Sequence, residues 1–384
     1  MTGSTTLSRG LSVSAWIAYA VIVLEILFMI SPFALWFYSA YAPPLRFLQG
    51  HRATAFLTQS VLPHFSHQDS VVVSALVMLS WPLIIFGVLL FFVAFAQIYA
   101  AKFTRAGQVS GGLYRFIRHP QYVALAIVGL GCTIFWPRVI AWLMYATMLF
   151  LYYFLAKAEE SRCLTRFGET YGQYLKRTGR FLPKWMEDRL PRIPACFVAN
   201  PRTRSATLAV LFIGYLGLTL AGTIAARDFA FSHLRVVCTD STAIVSVAPL
   251  SMDVATEAAL IAMTDPAVDQ ILRTRGTERL LVYVIPGEWT IPELGVQGTR
   301  TGEDILRHPG AHGNPADFSQ DSLTVFLAVP VFSTLGSRGE DILRNCLTWE
   351  PILEAHIHMK EKRVITIAPR KDRGQWEGIP VPVV

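Results

Sequence analysis

Charged residues are scarce in this chain, and their scarcity limits the class of protein it can be. Only 16% of the 384 residues are Asp, Glu, Lys or Arg, whereas 53% are hydrophobic and the mean hydropathy is +0.41. Soluble domains carry about 25% charged residues, so this is not the composition of an ordinary soluble protein. The apolar residues are concentrated in the first 226 positions, which predicts a membrane domain followed by a more ordinary domain.

Cysteine motifs are also lacking. The five cysteines show no CxxC spacing, so neither a zinc-binding nor a thioredoxin-like site is supported. There is no internal repeat and no low-complexity tract. Cys238 and Cys346 are the two cysteines of the predicted C-terminal domain. If that domain lies in an oxidising compartment, we expect them to form a disulfide.

Long apolar runs, by contrast, are abundant. A helix needs about 20 mostly apolar residues to cross a bilayer. Five segments are candidates: Ser14–Tyr38, Val71–Ala100, Tyr122–Phe135, Val139–Leu155 and Thr207–Ala226. The third and fourth are joined only by Trp136-Pro137-Arg138, which predicts a tight helical hairpin.

The basic residues predict the orientation of these spans. The net charge is +7, but the Lys and Arg residues cluster beside apolar spans, which favours membrane lipids as partners and not nucleic acid. They lie mainly between spans two and three and between spans four and five, so both loops should be cytoplasmic. Five crossings then place the N-terminus in the cytoplasm and the residues after Ala226 in the periplasm, if the membrane is a bacterial inner membrane.

The expected fold class is therefore an α-helical integral membrane domain followed by an extracytoplasmic α+β domain. We predict a membrane domain over residues 1–190, a linker with the fifth span over 191–226, and the α+β domain over 227–384. Its predicted strands are Leu234–Val237, Ala243–Val247, Leu280–Ile285, Leu323–Val329 and a hairpin of Glu354–His358 with Val364–Ala368 that turns at Glu361-Lys362. Its predicted helices are Asp253–Met263, Ala267–Thr274 and Gly339–Cys346.

Polar residues gather at the start of the third span, in the stretch YRFIRHPQYVALA over residues 114–126. Pro120 fits the first turn of a helix, where its missing N–H costs nothing. Arg118 and His119 would then flank a helix N-terminus, whose free N–H groups and dipole favour a carboxylate or a phosphate. Gly111-Gly112 would allow the backbone to approach a ligand closely.

A second polar group follows the fourth span. Glu159 and Glu160 should lie at the C-terminal end of a helix, where the dipole disfavours them, so ribose hydroxyls, an amine or another cation should hold them. Tyr171 and Tyr174, three apart on a predicted helix, present one aromatic face for a ring or a sulfonium. The hairpin returns the chain to the same side of the membrane, which makes the two groups neighbours. Together they suit a zwitterionic, ring-bearing, partly cationic ligand such as S-adenosylmethionine.

Each of these features also has a simpler interpretation. Basic residues before a span commonly serve as topology anchors, and tyrosines commonly lie in the headgroup layer. The two glutamates would also be satisfied by Lys157 and Arg162 at a solvated helix end. The joint occurrence of the two groups around a tight hairpin favours a binding site.

The combined pattern resembles a known family. The order Gly112-Leu113-Tyr114, RHPQY over residues 118–122, a helical hairpin, the pair at 159–160 and the segment up to Pro183 resembles the isoprenylcysteine carboxyl methyltransferase and phospholipid methyltransferase family. The resemblance covers roughly residues 100–183. It implies that Tyr114 and His119–Tyr122 contact S-adenosylmethionine, with Glu159 and Glu160 completing the site. It also implies methyl transfer to an amphiphile that enters from the bilayer.

The residues and the resemblance together give a set of candidate site residues. The predicted cofactor-binding residues are Tyr114, Arg118, His119, Pro120, Gln121, Tyr122, Glu159, Glu160, Tyr171 and Tyr174. If the acceptor must lose a proton, His119 and Glu160 are the candidate catalytic bases, and the sequence does not choose between them. No metal is predicted. His356 and His358 alternate onto one strand face, where solvated histidines are more common than metal ligands.

The sequence departs from the family pattern at two places. Leu155 stands where the isoprenylcysteine enzymes carry an arginine that faces the substrate carboxylate, and Val123-Ala124 replace a usual glycine. An acceptor other than a prenylated cysteine is therefore expected. The resemblance does not extend to the C-terminal domain, whose function and protein partners stay undetermined.

The expected function is S-adenosylmethionine-dependent methyl transfer to a lipid-like or amphiphilic acceptor at the cytoplasmic membrane face. Two alternatives remain open. One is an NADPH-dependent membrane reductase of the sterol reductase type, which Glu159-Glu160 disfavours because a 2′-phosphate prefers Arg or Lys. The other is a non-catalytic anchor or sensor that displays the C-terminal domain.

Overall fold

The computed structural model describes residues 41–104, 107–189, 204–298, 317–333, 336–372 and 381–384, together with residues 20, 23–24, 26–27, 30–34 and 36–37. The chain divides into two compact units. The first comprises Met1–Ser39, Leu79–Thr133 and Ala141–Thr219, and the second comprises Ala40–Met78, Ile134–Ile140 and Leu220–Val384. The three-part domain division expected from the sequence stays a prediction.

Helices occupy most of the described residues up to position 231. They are α1 Ala42–Gln49, α2 Val71–Met78, α3 Ser80–Phe103, α4 Pro120–Phe135, α5 Val139–Phe167, α6 Glu169–Arg177, α7 Lys184–Glu187 and α8 Arg204–Phe231. Pro82 lies in the first turn of α3 and Pro120 begins α4, positions at which proline removes no intrahelical hydrogen bond.

Three helical segments in the described part of the chain are long and apolar enough to cross a membrane. They are Val71–Phe103, Val139–Phe167 and Ser205–Phe231. α4 is apolar but has only 16 residues, fewer than the about 20 that a span usually needs. The predicted first span, Ser14–Tyr38, lies partly outside the described residues, and its described residues are helical. The predicted number of five spans therefore stays a prediction.

The helix α5 is longer than the apolar run that predicted it. It continues beyond Leu155 to Phe167, two turns past Glu160. The expectation that Glu159 and Glu160 lie at a helix C-terminus was wrong, because the polar segment from Lys157 onward is itself helical. The helix dipole acts mainly on the last turn, so it does not explain what holds the two glutamates.

A mixed sheet forms the centre of the second unit. Its strands, in spatial order, are β1 Val236–Cys238, β2 Thr242–Ser246, β3 Leu280–Pro286, β4 Ser322–Phe332, β5 Cys346–His358 and β6 Arg363–Pro369. β2 and β3 are parallel and the other neighbouring pairs are antiparallel. The parallel pair requires a crossover, which α9 Met252–Thr264 and α10 Pro266–Arg275 provide.

The two faces of the sheet bury different side chains, as the alternation of a strand requires. On one face Val282, Val325 and Leu353 pack against the alanine-rich side of α9. On the other face Tyr283 and Phe326 pack with residues from the connecting segments. Both faces are covered, so the central strands are apolar throughout and not simply alternating.

Most predicted elements of this unit are confirmed within two residues, including β6 and the end of β5 at His358. The exceptions are β4, which ends three residues after the predicted Val329, and β5, which begins at Cys346, eight residues before the predicted Glu354. The predicted helix Gly339–Cys346 is two residues shorter at each end, since only Asp341–Arg344, named α11, is helical. The first half of β5 was missed because Pro351 interrupts its pattern. The ladder accommodates this proline at a register shift between Leu327 and Ala328, since a proline cannot donate to a regular ladder.

The predicted disulfide between Cys238 and Cys346 was wrong, because both are free thiols. Cys238 lies in β1 and Cys346 in β5, four strand spacings apart in the sheet. At about 4.8 Å per spacing the strands are about 19 Å apart, whereas bridged cysteines need Cα atoms within about 7 Å. Burial raises the pKa of the Cys346 thiol to about 12.

Two segments that are remote in sequence are built into the second unit. The residues before α2 bond to the sheet region, with His67 N donating to Ser246 O at 3.1 Å and Asp69 N to His233 O at 3.0 Å. The turn between α4 and α5 joins them, because Val61 N donates to Pro137 O at 2.6 Å. The chain before α3, this turn and the residues after α8 therefore share one unit.

Candidate functional site

The RHP segment runs alongside the residues that follow α6. Ile117 and Gly179 form a parallel bridge, and Arg118 N donates to Gly179 O at 2.9 Å. His119 N donates to Arg180 O at 3.1 Å. The two predicted polar groups are thus brought together in the first unit, as the resemblance implied, and backbone hydrogen bonds fix their alignment.

Glu160 lies at the centre of this arrangement. Its side chain is only 8% exposed and lies between two arginines. Arg118 Nε donates to Oε1 at 2.7 Å, while Arg180 donates from Nε to Oε1 at 3.0 Å and from Nη2 to Oε2 at 2.6 Å. This fork is the bidentate geometry that makes arginine–carboxylate pairs strong. Two arginine cations therefore hold Glu160.

Arg118 has a second function beyond its pairing with Glu160. Its Nη1 donates to the carbonyl oxygens of Leu175, at 3.3 Å, and Thr178. These carbonyls belong to the end of α6, where a cation is favoured by the helix dipole. Arg118 therefore ties the start of α4 to the end of α6, a role distinct from the predicted contact with a cofactor.

Glu159 differs sharply from its neighbour. Its side chain is 47% exposed. Oε1 accepts a hydrogen bond of 2.6 Å from the Tyr122 hydroxyl, and Oε2 lies 3.4 Å from His119 Nδ1. A carboxylate offers about four acceptor positions, so Glu159 keeps capacity for a ligand hydroxyl or amine.

His119 is buried between the two glutamates. Its Nε2 lies 3.4 Å from Glu160 Oε1, and its ring is 5.6 Å from that of Tyr122. Burial alone would lower the pKa of His119, but the two adjacent carboxylates outweigh burial and raise it. His119 thus carries its proton over a wider pH range than an exposed histidine and is suited to pairing with an anion.

The predicted tyrosines occupy distinct positions. Tyr174 donates its hydroxyl to Tyr114 O at 2.6 Å, and Tyr114 donates its own to Ala94 O at 3.4 Å. Tyr171 is 6% exposed and its ring lies 5.7 Å from that of Tyr174. Burial raises the pKa of Tyr174 to about 12, and it also raises those of Tyr114 and Tyr171. These side chains fasten the segment before the RHP motif to α6.

Pro120 and Gln121 form the first turn of α4, with Pro120 buried and Gln121 half-buried. The backbone N–H groups of a first helical turn lack partners within the helix. Together with His119, this turn is suited to a carboxylate group of a ligand.

The two candidate bases are poorly placed to take up a proton. His119 has a raised pKa, and Glu160 already accepts three hydrogen bonds from arginine. Glu159 is the more accessible carboxylate. The sequence could not separate the two adjacent glutamates, because their difference arises from which side of α5 faces the arginines.

Sequence reasoning missed Gln97 on α3. Its Oε1 accepts a hydrogen bond of 3.0 Å from Leu113 N, next to Gly112. Gly112 has φ +57°, which favours glycine, and a Cβ there would lie 2.6 Å from Gln97 Oε1 and would displace this amide. A lone amide within an apolar span was the available signal, since such residues usually mark a site.

Arg180 and Tyr152 were also missed as site residues. Arg180 lies in the segment up to Pro183 that resembles the family, but the resemblance implied no role for it. Tyr152, two turns before Glu159 on α5, is 2% exposed, and its ring lies 4.7 Å from that of Tyr122. Its position in an apolar run gave no signal that it would pack against the site.

Comparison with protein families identifies the class of this segment. Residues 71–173 match the model of the phospholipid methyltransferase family. The resemblance deduced from the sequence is thereby confirmed for this part of the chain. It contains every predicted site residue except Tyr174. Comparison with curated proteins and with solved structures gives no match.

Proposed function

We propose that the chain transfers a methyl group from S-adenosylmethionine to an amphiphilic acceptor at the cytoplasmic face of a membrane. The observation that carries this proposal is the half-exposed Glu159, bonded to Tyr122 and adjacent to His119, within the segment that matches a methyltransferase family. A half-exposed carboxylate beside a buried cation suits a ligand that has hydroxyl, amine and carboxylate groups.

The residues of the site fit this cofactor. Glu159 would accept hydrogen bonds from the ribose hydroxyls or from the amine, while His119 and the first turn of α4 would bind the carboxylate. When bound, S-adenosylmethionine supplies a methyl carbon that is already activated. The protein then has to align the acceptor and exclude water, and alignment alone accounts for about 7–11 kcal/mol of a barrier in favourable cases. Glu159 would be the residue to accept a proton if the acceptor releases one.

The acceptor is proposed to be lipid-like because the site adjoins apolar helices. The matched segment includes α3, whose outer side chains are largely exposed, among them Phe86, Leu89 and Phe92. Phe116, two residues before Arg118, is 61% exposed. Apolar side chains beside a polar site suit a molecule that has a polar head and a hydrocarbon tail.

The sidedness is supported by charge and by connectivity. The loops that contain Arg118 and Arg180 are rich in basic residues, which favours the cytoplasm. The chain before α3, the α4–α5 turn and the residues after α8 share one compact unit. If Val71–Phe103 crosses the membrane, the chain must cross again through α4 to reach that turn, which would make the short helix α4 a span. A bacterial inner membrane with the sheet domain in the periplasm is part of this proposal.

The alternatives fit the site less well. A reductase would place the 2′-phosphate of NADPH near a cation, whereas the exposed charge in this site is the carboxylate of Glu159. A non-catalytic anchor would not need a buried Arg118–Glu160–Arg180 cluster, which is costly to desolvate.

The test is ligand binding by the detergent-purified full-length chain. S-adenosylmethionine, its demethylated product and NADPH are titrated separately into the wild type, Glu159→Gln and Glu169→Gln. Glu169 is an exposed glutamate on α6 and serves as the control. We expect the first two ligands to bind to the wild type. Relative to the wild type, the affinity should fall at least about tenfold in Glu159→Gln and stay within about twofold in Glu169→Gln. Binding of NADPH alone would indicate a reductase, and binding of none would favour the anchor.

A further inference from the structure

Glu160 is held by arginines from two parts of the chain. Arg118 precedes α4, and Arg180 follows α6. Arg180 provides two of the three close hydrogen bonds to the carboxylate, and both oxygens take part. These three hydrogen bonds fill most of the acceptor positions of Glu160, and His119 Nε2, 3.4 Å from Oε1, adds a charge contact without a hydrogen bond.

The backbone of Arg180 is fixed as firmly as its side chain. Arg180 N donates to Glu187 Oε2 at 2.6 Å, and Arg180 O accepts from His119 N at 3.1 Å. Gly179, just before it, has no room for a side chain, because a Cβ there would lie 1.9 Å from Leu182 O. A tight turn therefore presents Arg180 to Glu160 and His119 together.

We propose that Arg180 is a positioning residue of the methyltransferase site. With Arg118 it immobilises Glu160, which places a carboxylate 3.4 Å from the His119 ring, and with its own carbonyl it fixes the backbone of His119. Glu160 is then a positioning residue as well, and Glu159 is the carboxylate that contacts the cofactor. This inference rests on the proposed function, since it divides the roles of residues within that site.

The assignment follows from a comparison of the two glutamates. A ligand hydroxyl that bonded to Glu160 would have to displace a buried arginine, which would leave a guanidinium without its counter-charge. A ligand that bonds to Glu159 displaces only solvent, because that side chain is 47% exposed. On α5, Glu160 thus faces inward to two arginines, whereas the adjacent Glu159 faces outward to solvent.

The test measures the affinity of the full-length chain for S-adenosylhomocysteine by calorimetry in detergent. The variants are Arg180→Gln, Arg180→Lys and the control Arg177→Gln, which removes an exposed arginine of α6. We expect affinity to fall about 10- to 100-fold in Arg180→Gln, to fall less in Arg180→Lys because the charge is kept without the fork, and to stay within about twofold in the control.

A pH profile adds a readout that a purely structural role would not move. In Arg180→Gln the charge of Glu160 is less neutralised, so His119 should keep its proton to higher pH. The pH at which binding of S-adenosylhomocysteine declines should therefore shift upward relative to the wild type and to Arg177→Gln. An unchanged profile together with unchanged affinity would overturn the proposal.

A conservative variant separates positioning from stability. Arg180→Gln leaves Glu160 paired with Arg118 alone. If this variant unfolds, Arg180→Lys keeps a cation beside the carboxylate without the fork and should fold, as judged by thermal unfolding. We expect Arg180→Lys to bind more weakly than the wild type, and wild-type affinity in folded Arg180→Lys would mean that the fork is only structural. Failure of the wild type itself to bind would instead count against the proposed function.

Discussion

Two tyrosines on one face of α5 provide a matched test of how buried hydroxyls affect stability. Tyr152 and Tyr145 are seven residues apart, which is two helical turns. The Tyr152 hydroxyl is buried and has no hydrogen-bond partner among the described residues, whereas Tyr145 donates to Ala126 O at 2.9 Å. The same substitution, Tyr→Phe, therefore removes an unsatisfied group at one position and a hydrogen bond at the other.

The expected effects have opposite signs. An unsatisfied buried hydroxyl carries a desolvation penalty of about 1–3 kcal/mol, so Tyr152→Phe should raise the free energy of unfolding by about 1 kcal/mol. Loss of the hydrogen bond in Tyr145→Phe should lower it by about 0.5–1.5 kcal/mol. Both variants keep the ring, including the 4.7 Å contact between Tyr152 and Tyr122, so packing changes little.

The assay is unfolding of the detergent-purified chain, followed by tryptophan fluorescence with temperature or with increasing sodium dodecyl sulfate. A change of 1 kcal/mol should move the midpoint by about 2–4 °C, upward for Tyr152→Phe and downward for Tyr145→Phe. Each variant is compared with the wild type in the same detergent at the same protein concentration.

A Tyr152→Phe variant that lost as much stability as Tyr145→Phe would contradict this prediction. That result would mean that the Tyr152 hydroxyl has a partner, and its contribution would then resemble that of any buried hydrogen bond. If Tyr152→Phe raised the unfolding midpoint and Tyr145→Phe left it unchanged, only the estimate for the Tyr145 hydrogen bond would be contradicted.

Three further predictions concern titration, thiols and a turn. The folded-state pKa of His119 is raised, so its contribution to stability is complete below about pH 6.5 and is lost as the pH rises through the folded-state pKa. In denaturant titrations between pH 6 and pH 9, the wild type should therefore lose more stability than His119→Gln. Parallel stability curves for the two proteins would contradict this prediction. Because Cys238 and Cys346 are free, reductant should change neither the gel mobility nor the unfolding midpoint, and Cys346 should react with a thiol reagent only after unfolding; a mobility shift on reduction would contradict the strand order. Lys362 has φ +49°, so Lys362→Gly should raise the unfolding midpoint slightly by relieving backbone strain. The control Lys360→Gly is in the same turn and, like Lys362→Gly, removes one surface ion pair, but it relieves no strain and should lower the midpoint. Equal effects of the two substitutions would argue against strain at Lys362.

The sequence was sufficient for the features that depend on local composition. Long apolar runs predicted the membrane helices, because burial in lipid requires about 20 apolar residues whatever the tertiary packing. Alternation and turn residues predicted β2, β3, β6 and the β5–β6 hairpin. Failures arose where local pattern and tertiary pairing disagree, as at Pro351, which the sheet accommodates at a shifted register.

The polar motif was predicted as a group but not in its internal arrangement. Pro120 and the hairpin indicated that the RHP segment and the glutamate pair are neighbours. No local rule indicates that Arg180, twenty residues beyond Glu160, returns to form a fork on its carboxylate. That contact depends on the turn at Gly179 and on the bridge to Ile117, which are formed by folding.

By itself the sequence predicted apolar membrane helices, a methyltransferase-like segment and a C-terminal region with a β-sheet. Hydropathy and motif spacing are properties of residues close together in the chain, so they can be evaluated without knowledge of the fold. Only the tertiary structure decided that Glu160 is buried between two arginines while Glu159 is exposed, and that Cys238 and Cys346 lie too far apart to pair. These are distances between residues remote in the chain, and folding alone sets them.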